Sequence, residues 1–324
     1  MKQIYFEEVD IAKGVAILLV ILGHSFCTYP FDLNGQFPLL AAIVRSFQMP
    51  LFFVASGFLF SATDGFGEFL QKKASRLVIP YLAFGLLTVI LRMLFGAFTH
   101  SGAIDIGEGL TAIATGQYYW FLYTLLLLLI AARLIKSRII LSAVALLSVI
   151  ICLYTDIQQI SIFTFGRTVY FFFFFACGIL LRKWYPWITE RRWGGVIILT
   201  CTSLFIYVIS IYPSDISGIA IIQKYVIPLS GSAFVWGAAS ILAGSTRTQD
   251  VTKLLVHFGR YSLQYYLNHL LIMLPLYYMV GKLQLSNPLL SLLLIFAGGV
   301  VVSWIMLRIE KQTPLLRFLC GLKS

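Results

Sequence analysis

Long apolar stretches follow one another along almost the whole chain and constrain its fold more than any other feature. Hydropathy marks ten of them, at residues 11–29, 38–61, 78–98, 118–135, 139–155, 166–182, 194–212, 218–243, 261–280 and 288–307. Of the 324 residues, 60% are hydrophobic and 11% are charged, against about 25% charged in soluble domains. The sequence therefore predicts an all-α polytopic membrane protein, with about ten transmembrane helices in a single domain, 1–324.

The lysine and arginine residues predict how the chain is threaded. In the alternation of predicted spans, the loops of one side hold Arg167, Lys224 and Lys282. The other side holds 18 of the 24 basic residues: Lys2, Lys72, Lys73, Arg76, Arg133, Lys136, Arg138, Arg182, Lys183, Arg191, Arg192, Arg247, Lys253, Arg260, Arg308, Lys311, Arg317 and Lys323. Basic residues accumulate in cytoplasmic segments, so both termini are predicted to be cytoplasmic in a multipass inner-membrane protein.

The net charge and the cysteines limit which partners and cofactors the sequence predicts. The net charge of +11 follows from this loop bias, so membrane lipids are predicted partners and nucleic acid is not. The five cysteines, Cys27, Cys152, Cys177, Cys201 and Cys320, are scattered. They lack the spacing of a metal site or a disulfide framework, so no metal is predicted. The sequence leaves the oligomeric state open.

The first apolar stretch carries three ionisable groups, Asp10, Lys13 and His24. On a helix Lys13 and His24 are about three turns apart and lie on one face, separated by about 16 Å along the axis. Asp10 is about 21 Å from His24, too far to orient the imidazole directly. Ionisable groups inside a span indicate a functional site. An ordinary anchor, with Lys13 reaching the headgroups and pairing with Asp10, is the alternative, but it does not explain His24.

Three further groups extend this candidate site. Arg45 and Arg92 fall in the outer halves of the second and third predicted spans, on the side of His24. His269 lies about 14 Å beyond Arg260 along the ninth predicted span, near the middle of the membrane. The alternatives are a helix-end arginine that reaches the headgroups, which is favoured for Arg92, and an interhelical hydrogen bond for His269.

Five short motifs occur in order and resemble the integral membrane acyltransferase family known as acyltransferase 3. The resemblance runs from Asp10 to about Gly321. The stretch IAKGVAILLVILGHS further resembles the fucose 4-O-acetylase-like sugar O-acetyltransferases of that family. The matching residues are Asp10, Lys13, Gly14, Ala16 and His24; Phe52, Phe53, Ser56, Gly57 and Phe58; Lys73, Arg76, Pro80 and Tyr81; Trp120, Phe121 and Leu122; and Ser262, Leu263, Tyr266 and His269.

The resemblance implies an O-acyltransferase, most directly an O-acetyltransferase. It would move an acyl group from cytoplasmic acyl-CoA, its donor substrate, to a sugar hydroxyl of a cell-envelope or exported glycan, with no other cofactor. An imidazole is the usual base at neutral pH, so His24 is the predicted base and His269 the second choice. The predicted donor contacts are Lys13 with Asp10, and Lys73 with Arg76. Arg45 would bind the acceptor or the oxyanion, and Ser56 and Trp120 complete the predicted substrate-binding set.

Two other classes stay open from the sequence. A secondary transporter or a flippase for a lipid-linked sugar would also place charges inside the membrane. It would predict broken helices in corresponding halves of the chain, and no paired Gly- or Pro-interrupted spans are apparent. A structural or regulatory subunit would not need an aligned Asp-Lys-His face.

The sequence departs from the resembled family at two basic positions. Lys13 and Lys73 stand where many of the resembled relatives have Arg, and lysine keeps the charge without the bidentate fork.

Overall fold

The computed structural model describes residues 5–26, 32–61, 65–96, 104–160, 162–190, 192–211, 219–283, 285 and 287–322, and every regular element in these ranges is a helix. Lys2, Cys27, Arg191 and Lys323, together with the predicted span ends 27–29, 97–98, 212 and 218, lie outside them. The main helices are α1 (Glu7–Ser25), α2 (Pro38–Phe58), α3 (Phe66–Phe95), α4 (Ile106–Ala114), α5 (Trp120–Leu134), α6 (Arg138–Tyr154), α7 (Phe165–Glu190), α8 (Arg192–Ile211), α9 (Ile222–Ala243), α10 (Gln249–Arg260), α11 (Ser262–Lys282), α12 (Pro288–Glu310) and α13 (Pro314–Leu319).

Five of the helices, α2, α3, α7, α9 and α12, are long and apolar enough to cross a membrane. Shorter apolar helical segments occur at Trp120–Leu134, Arg138–Tyr154 and Leu199–Val208. The prediction of an all-α membrane protein is therefore confirmed for the described part of the chain. Each of the ten predicted apolar stretches coincides with a helix in its described part. How many of these helices cross the bilayer, and in which direction, stays a prediction.

Helix α1 lies in the middle of the bundle rather than at its edge. It packs against α2, α9, α10, α11 and α12. Its residues Ile11, Ala12, Ala16, Ile17 and Ile21 have no exposed surface. A helix that is surrounded by protein and still carries charged residues is costly unless those residues are paired or used. This position favours a functional site over an ordinary anchor.

Two helices contain a π-helical segment, and each segment has a local cause. The segments are Ala74–Val78 in α3 and Ile222–Val226 in α9, and both end just before an Ile-Pro pair. Pro80 and Pro228 cannot donate to the carbonyl four residues earlier and would clash with it, so the helix widens there. Helices α3 and α9 nevertheless continue through these segments as single helices, Phe66–Phe95 and Ile222–Ala243.

The fourth predicted span is preceded by a short helix and an interruption. Helix α4 runs antiparallel along α3, with Gly109 against Val89 and the Tyr81 hydroxyl donating to the Ile113 carbonyl. Residues 115–119 then leave the helical conformation before α5 begins. Gly116 has φ of 78°, and Tyr119 has φ of 46° in the left-handed region that only a few non-glycine residues adopt. Helices α4 and α5 are therefore separated by irregular backbone, and this break lies beside the middle of α3.

The Ser56-Gly57 pair lies where α2 crosses α7 at close range. A Cβ on Gly57 would overlap the Phe175 carbonyl, and one on Gly178 would overlap the Val54 carbonyl. Both glycines are therefore required for the two backbones to approach each other.

We expect Gly57→Ala to lower the free energy of unfolding by about 1–3 kcal/mol, because the added methyl group must push α2 and α7 apart. Thermal unfolding of the purified protein in detergent measures this loss. Gly67→Ala is the matched control, since a Cβ there meets nothing within 4 Å. Equal stability of the two variants would contradict the close crossing.

Candidate active site

One end of α1 carries a cluster of ionic groups, called here the lysine end. The Lys13 ammonium is 2.7 Å from Asp10 Oδ1, as the sequence predicted. Arg260, at the end of α10, places its Nε 3.5 Å from Asp10 Oδ2 and donates to the Tyr5 hydroxyl at 2.9 Å. The close approach of Gly259 to the Asp10 carbonyl brings α10 this near to α1. Asp10 is thus held between two cations.

The other end of α1, called here the histidine end, brings His24 and His269 together. Their ring centroids are 5.2 Å apart, with an interplanar angle of 51°. His269 is fully buried, and its Nδ1 is 3.0 Å from the Tyr265 carbonyl. That carbonyl can only accept, so Nδ1 donates and Nε2 carries the lone pair. Within the described residues this Nε2 has no hydrogen-bond partner. His24 itself is solvent-accessible.

The backbone at the histidine end is held by two other helices. Arg45 of α2 donates to the Gly23 carbonyl at 3.2 Å, to the Phe26 carbonyl at 3.0 Å and to Asn34 Oδ1 at 2.9 Å. These bonds satisfy carbonyls that a helix end leaves unpaired. Tyr277 of α11 donates to the His24 carbonyl. Arg45 therefore positions the end of α1, and its predicted contact with acceptor or oxyanion stays a prediction.

Arg45→Ala is expected to lower the free energy of unfolding by about 1.5–3 kcal/mol, because charge-assisted bonds to buried carbonyls are lost. Thermal unfolding in detergent measures the change. The control is Arg247→Ala, since Arg247 is exposed on the surface. An Arg45→Ala protein with unchanged stability and a raised KM for acceptor would instead favour the predicted binding role.

A row of tyrosines continues from the histidine pair. The Tyr266 ring is 5.6 Å from the His269 ring and 6.1 Å from the Tyr119 ring. The Tyr119 hydroxyl reaches the Leu267 carbonyl at 3.3 Å. Trp120, predicted as a binding residue, follows Tyr119 and stacks on Phe171 with centroids 5.5 Å apart. The strained backbone of Tyr119 is thus joined to the helix that carries His269.

The guanidinium of Arg167 adds a cation to this region, because it lies 4.6 Å from the Trp120 ring centroid. This contact gives Trp120 a packing role at the start of α5. Its predicted part in substrate binding stays a prediction.

The predicted donor residues Lys73 and Arg76 lie on α3 at the lysine end. Arg76 is exposed within the π-helical segment, and Lys73 is half-buried with its ammonium 5.5 Å from the Phe69 ring centroid. A Cβ on Gly321 would lie 3.0 Å from the Arg76 carbonyl and 3.4 Å from Leu263, which follows Arg260 by three residues. The chain therefore brings Arg76 to the same end of the bundle as the Asp10 cluster.

The predicted binding residue Ser56 is half-buried in α2. It precedes Gly57 at the crossing with α7, so packing accounts for this motif. The structure does not bring Ser56 into either cluster of ionisable groups, and its binding role stays a prediction.

Several polar residues at the site were not singled out in the sequence. The Gln48 amide lies against Gly23, and its buried oxygen has no partner within the described residues. Asn268, beside His269, donates to buried Glu310 at 2.8 Å. Both amides stand in apolar stretches, which is the signal that would have found them. Burial and the Glu310 carboxyl raise the pKa of the Cys320 thiol, so this cysteine stays protonated.

The described chain is a bundle of apolar helices whose central helix has an imidazole pair at one end, with His24 exposed and His269 buried, and an ion cluster at the other. Ionisable groups in such a helix indicate a functional site in a membrane protein. The family model of the acyltransferase domain matches residues 6–308. The chain therefore belongs to this acyltransferase family, as its motifs predicted, and its class is that of an acyltransferase enzyme.

The relatives add one partial similarity. Nodulation protein NolL from Sinorhizobium fredii (strain NBRC 101917 / NGR234) is 32% identical over an alignment of 128 positions, which covers 36% of this chain. The match spans about a third of that relative, 33% of its length. No solved structure matches the chain significantly.

Proposed function

We propose that the protein is an O-acetyltransferase of the cell inner membrane, which moves the acetyl group of cytoplasmic acetyl-CoA to a sugar hydroxyl of a cell-envelope or exported glycan. The observation that carries this proposal is the pairing of His24 with His269 at one end of the central helix. A second cluster, of opposite charges, lies at the other end. The fucose 4-O-acetylase-like subgroup is compatible with the family match.

The proposed threading uses all ten apolar stretches as transmembrane segments, with both termini in the cytoplasm. The lysine end then faces the cytoplasm, where acyl-CoA is present, and the histidine end faces outward. The excess of basic residues on the side of the termini supports this orientation. The donor enters at one end of α1 and the acceptor at the other, separated along α1 by about 16 Å.

In the proposed reaction the acceptor hydroxyl attacks the thioester carbonyl carbon. His24 takes the hydroxyl proton as the new C–O bond forms, and the C–S bond breaks when the tetrahedral intermediate collapses. The CoA thiolate leaves and takes up this proton as the free thiol. His24 is assigned the contact with substrate because it is solvent-accessible, whereas His269 is fully buried. His269, fixed by the Tyr265 carbonyl, is assigned the role of positioning His24.

Stabilisation of the oxyanion is the second requirement of acyl transfer. The Gln48 amide is an uncharged donor close to this end of α1, because it lies against Gly23, the residue before His24. Arg45 already makes three hydrogen-bonded contacts with the protein. We therefore assign the oxyanion contact to Gln48 ahead of Arg45.

We assign the binding of acetyl-CoA, the acetyl donor, to the lysine end. Coenzyme A carries several phosphates, and cations that can make charge-assisted hydrogen bonds bind them best. Lys73 and Arg76 stand on one helix at this end, and Arg260 extends the set of cations towards Asp10 and Lys13. The extended pantetheine arm would then follow α1 towards His24.

A transporter or flippase for a lipid-linked sugar is the second candidate. The paired π-helical segments before Pro80 and Pro228 are the observation that favours it. Since each proline causes its own interruption, the pair does not require a transport cycle. Membership of the acyltransferase family favours the enzyme.

Incubation of the purified protein with labelled acetyl-CoA and a panel of methyl glycosides tests the proposal. An O-acetyltransferase releases CoA and forms an acetylated sugar in equal amounts. Flipping of a lipid-linked sugar in vesicles, without any CoA release on any acceptor, would establish the second candidate instead.

A further inference from the structure

A polar cleft beside the interrupted helix pair α4–α5 is not used in the proposed reaction. Its volume is about 470 Å³, and its polar lining consists of Arg92, Glu108, Thr111, Gln117 and Tyr118. This volume lies within the range of about 300–1,000 Å³ that is common for small-molecule sites. The cleft is therefore large enough for a small hydrophilic ligand.

The interruption of the helix has a direct relation to this cleft. Irregular backbone at membrane depth is tolerated only where it is buried in protein or lines a water-filled cavity. Residues 115–119 supply Gln117 and Tyr118 to the lining, and the next residue, Tyr119, places its hydroxyl 3.2 Å from Thr88 Oγ1 in α3. The break therefore contributes two polar side chains to the cleft lining.

The side chains in the cleft suit a neutral hydroxylated molecule. Arg92 donates to the Tyr118 hydroxyl at 2.9 Å, and Glu108 is an acceptor on the opposite helix. Thr111 and Gln117 can both donate and accept. Among the described residues the lining holds one cation, Arg92, and one anion, Glu108, so these charges balance and offer no cluster of cations to the phosphates of CoA. Hydroxyl groups of a sugar would use all of these groups.

The cleft is also connected to the histidine pair through packed rings. Tyr118 lines the cleft, the ring of its neighbour Tyr119 contacts Tyr266, and the Tyr266 ring contacts His269. A ligand in the cleft is therefore separated from His24, the proposed base, by the rings of Tyr119, Tyr266 and His269. This separation suits an acceptor that extends from the cleft to His24. Its remote part would bind in the cleft and hold the reacting hydroxyl near the base, because binding of remote groups positions the reacting group.

We propose that this cleft binds the acceptor, and that the ligand is an uncharged sugar unit of the glycan. The inference rests on the proposed function, since it identifies where the second substrate of the same site is held.

Two variants of the cleft test this inference, Glu108→Gln and Gln117→Ala. The probes are the methyl glycosides of glucose, galactose, fucose and N-acetylglucosamine, and binding is followed by saturation-transfer NMR without any donor present. We expect each variant to weaken binding of the preferred glycoside at least about 10-fold. In the transfer assay the KM for that sugar rises by the same factor, while the KM for acetyl-CoA is unaltered.

The control is Gln159→Ala, which removes an exposed amide between α6 and α7 that is not part of the cleft lining. Wild-type binding and sugar KM in both cleft variants would overturn the inference and leave the proposed function intact. Glycoside binding that depends on the cleft, without acetyl transfer to any sugar, would overturn the proposed function and retain the cleft as a sugar site. Absence of any glycoside signal with the wild-type protein would overturn the cleft assignment.

Discussion

We expect His24→Ala to abolish acetyl transfer while the protein remains inserted and folded. Removal of a general base costs about 100- to 10,000-fold in rate. The structure adds a reason for this expectation, because the imidazole of His24 is accessible to solvent while the ring next to it, His269, is not. The measurement is turnover per folded molecule, after gel filtration in detergent, with labelled acetyl-CoA and the preferred methyl glycoside.

His269→Ala is the matched control for His24→Ala, because both remove an imidazole from the same pair. We expect the His269 variant to be the milder of the two in turnover, since a positioning residue is lost rather than the base. The His269→Ala substitution also leaves a cavity at a fully buried position. The thermal stability of this variant is therefore expected to fall more than that of His24→Ala. If the His24→Ala protein keeps near-normal turnover and the His269→Ala protein loses it, His269 is the base.

We expect the double variant Lys73→Ala with Arg76→Ala to have a strongly raised KM for acetyl-CoA. Each charge-assisted contact with a phosphate contributes about 1–3 kcal/mol. Loss of two such contacts corresponds to a rise in KM of about 30-fold or more. The KM for sugar is expected to stay unchanged, because these residues lie at the lysine end, while the histidine pair lies at the other end of α1.

A second double variant, Lys136→Ala with Arg138→Ala, separates donor binding from loop charge. Lys136 lies between α5 and α6 and Arg138 begins α6, and both are exposed on the same predicted side of the membrane as Lys73 and Arg76. Removal of these two charges has the same effect on the local lipid surface, but we expect the KM for acetyl-CoA to stay unchanged. An equal effect of the two double variants would mean that Lys73 and Arg76 act only on membrane orientation.

The positions of the helices were largely predictable from the sequence, because apolar stretches of this length leave few alternatives in a membrane. The ion pair of Asp10 with Lys13 was predictable as well, since it depends only on local helical spacing. The sequence identified His24 and His269 separately, as the predicted base and the second choice, but it did not predict that the two rings meet. It depends on the packing of α1 against α11, which no local pattern determines.

Other features could not be predicted because they arise from contacts between distant segments. Arg260 reaches Asp10 only because Gly259 lets α10 approach α1 closely. The break at 115–119 contains one glycine and no proline, so no strong local signal marked it. The π-helical segments before Pro80 and Pro228 were not predicted, because a proline in a sequence does not show whether the helix ends, kinks or widens before it.

The central claim is that one bundle takes an acetyl group from CoA at the lysine end of α1 and delivers it to a sugar at the histidine end. Inverted and right-side-out membrane vesicles that contain the protein test it most directly, with labelled acetyl-CoA added only outside the vesicles. We predict that inverted vesicles, which expose Arg76 to the medium, transfer the label to glycoside trapped in their lumen, and that His24→Ala vesicles do not. Transfer that occurs only in right-side-out vesicles, or label that never reaches a sugar in either preparation, would contradict the account.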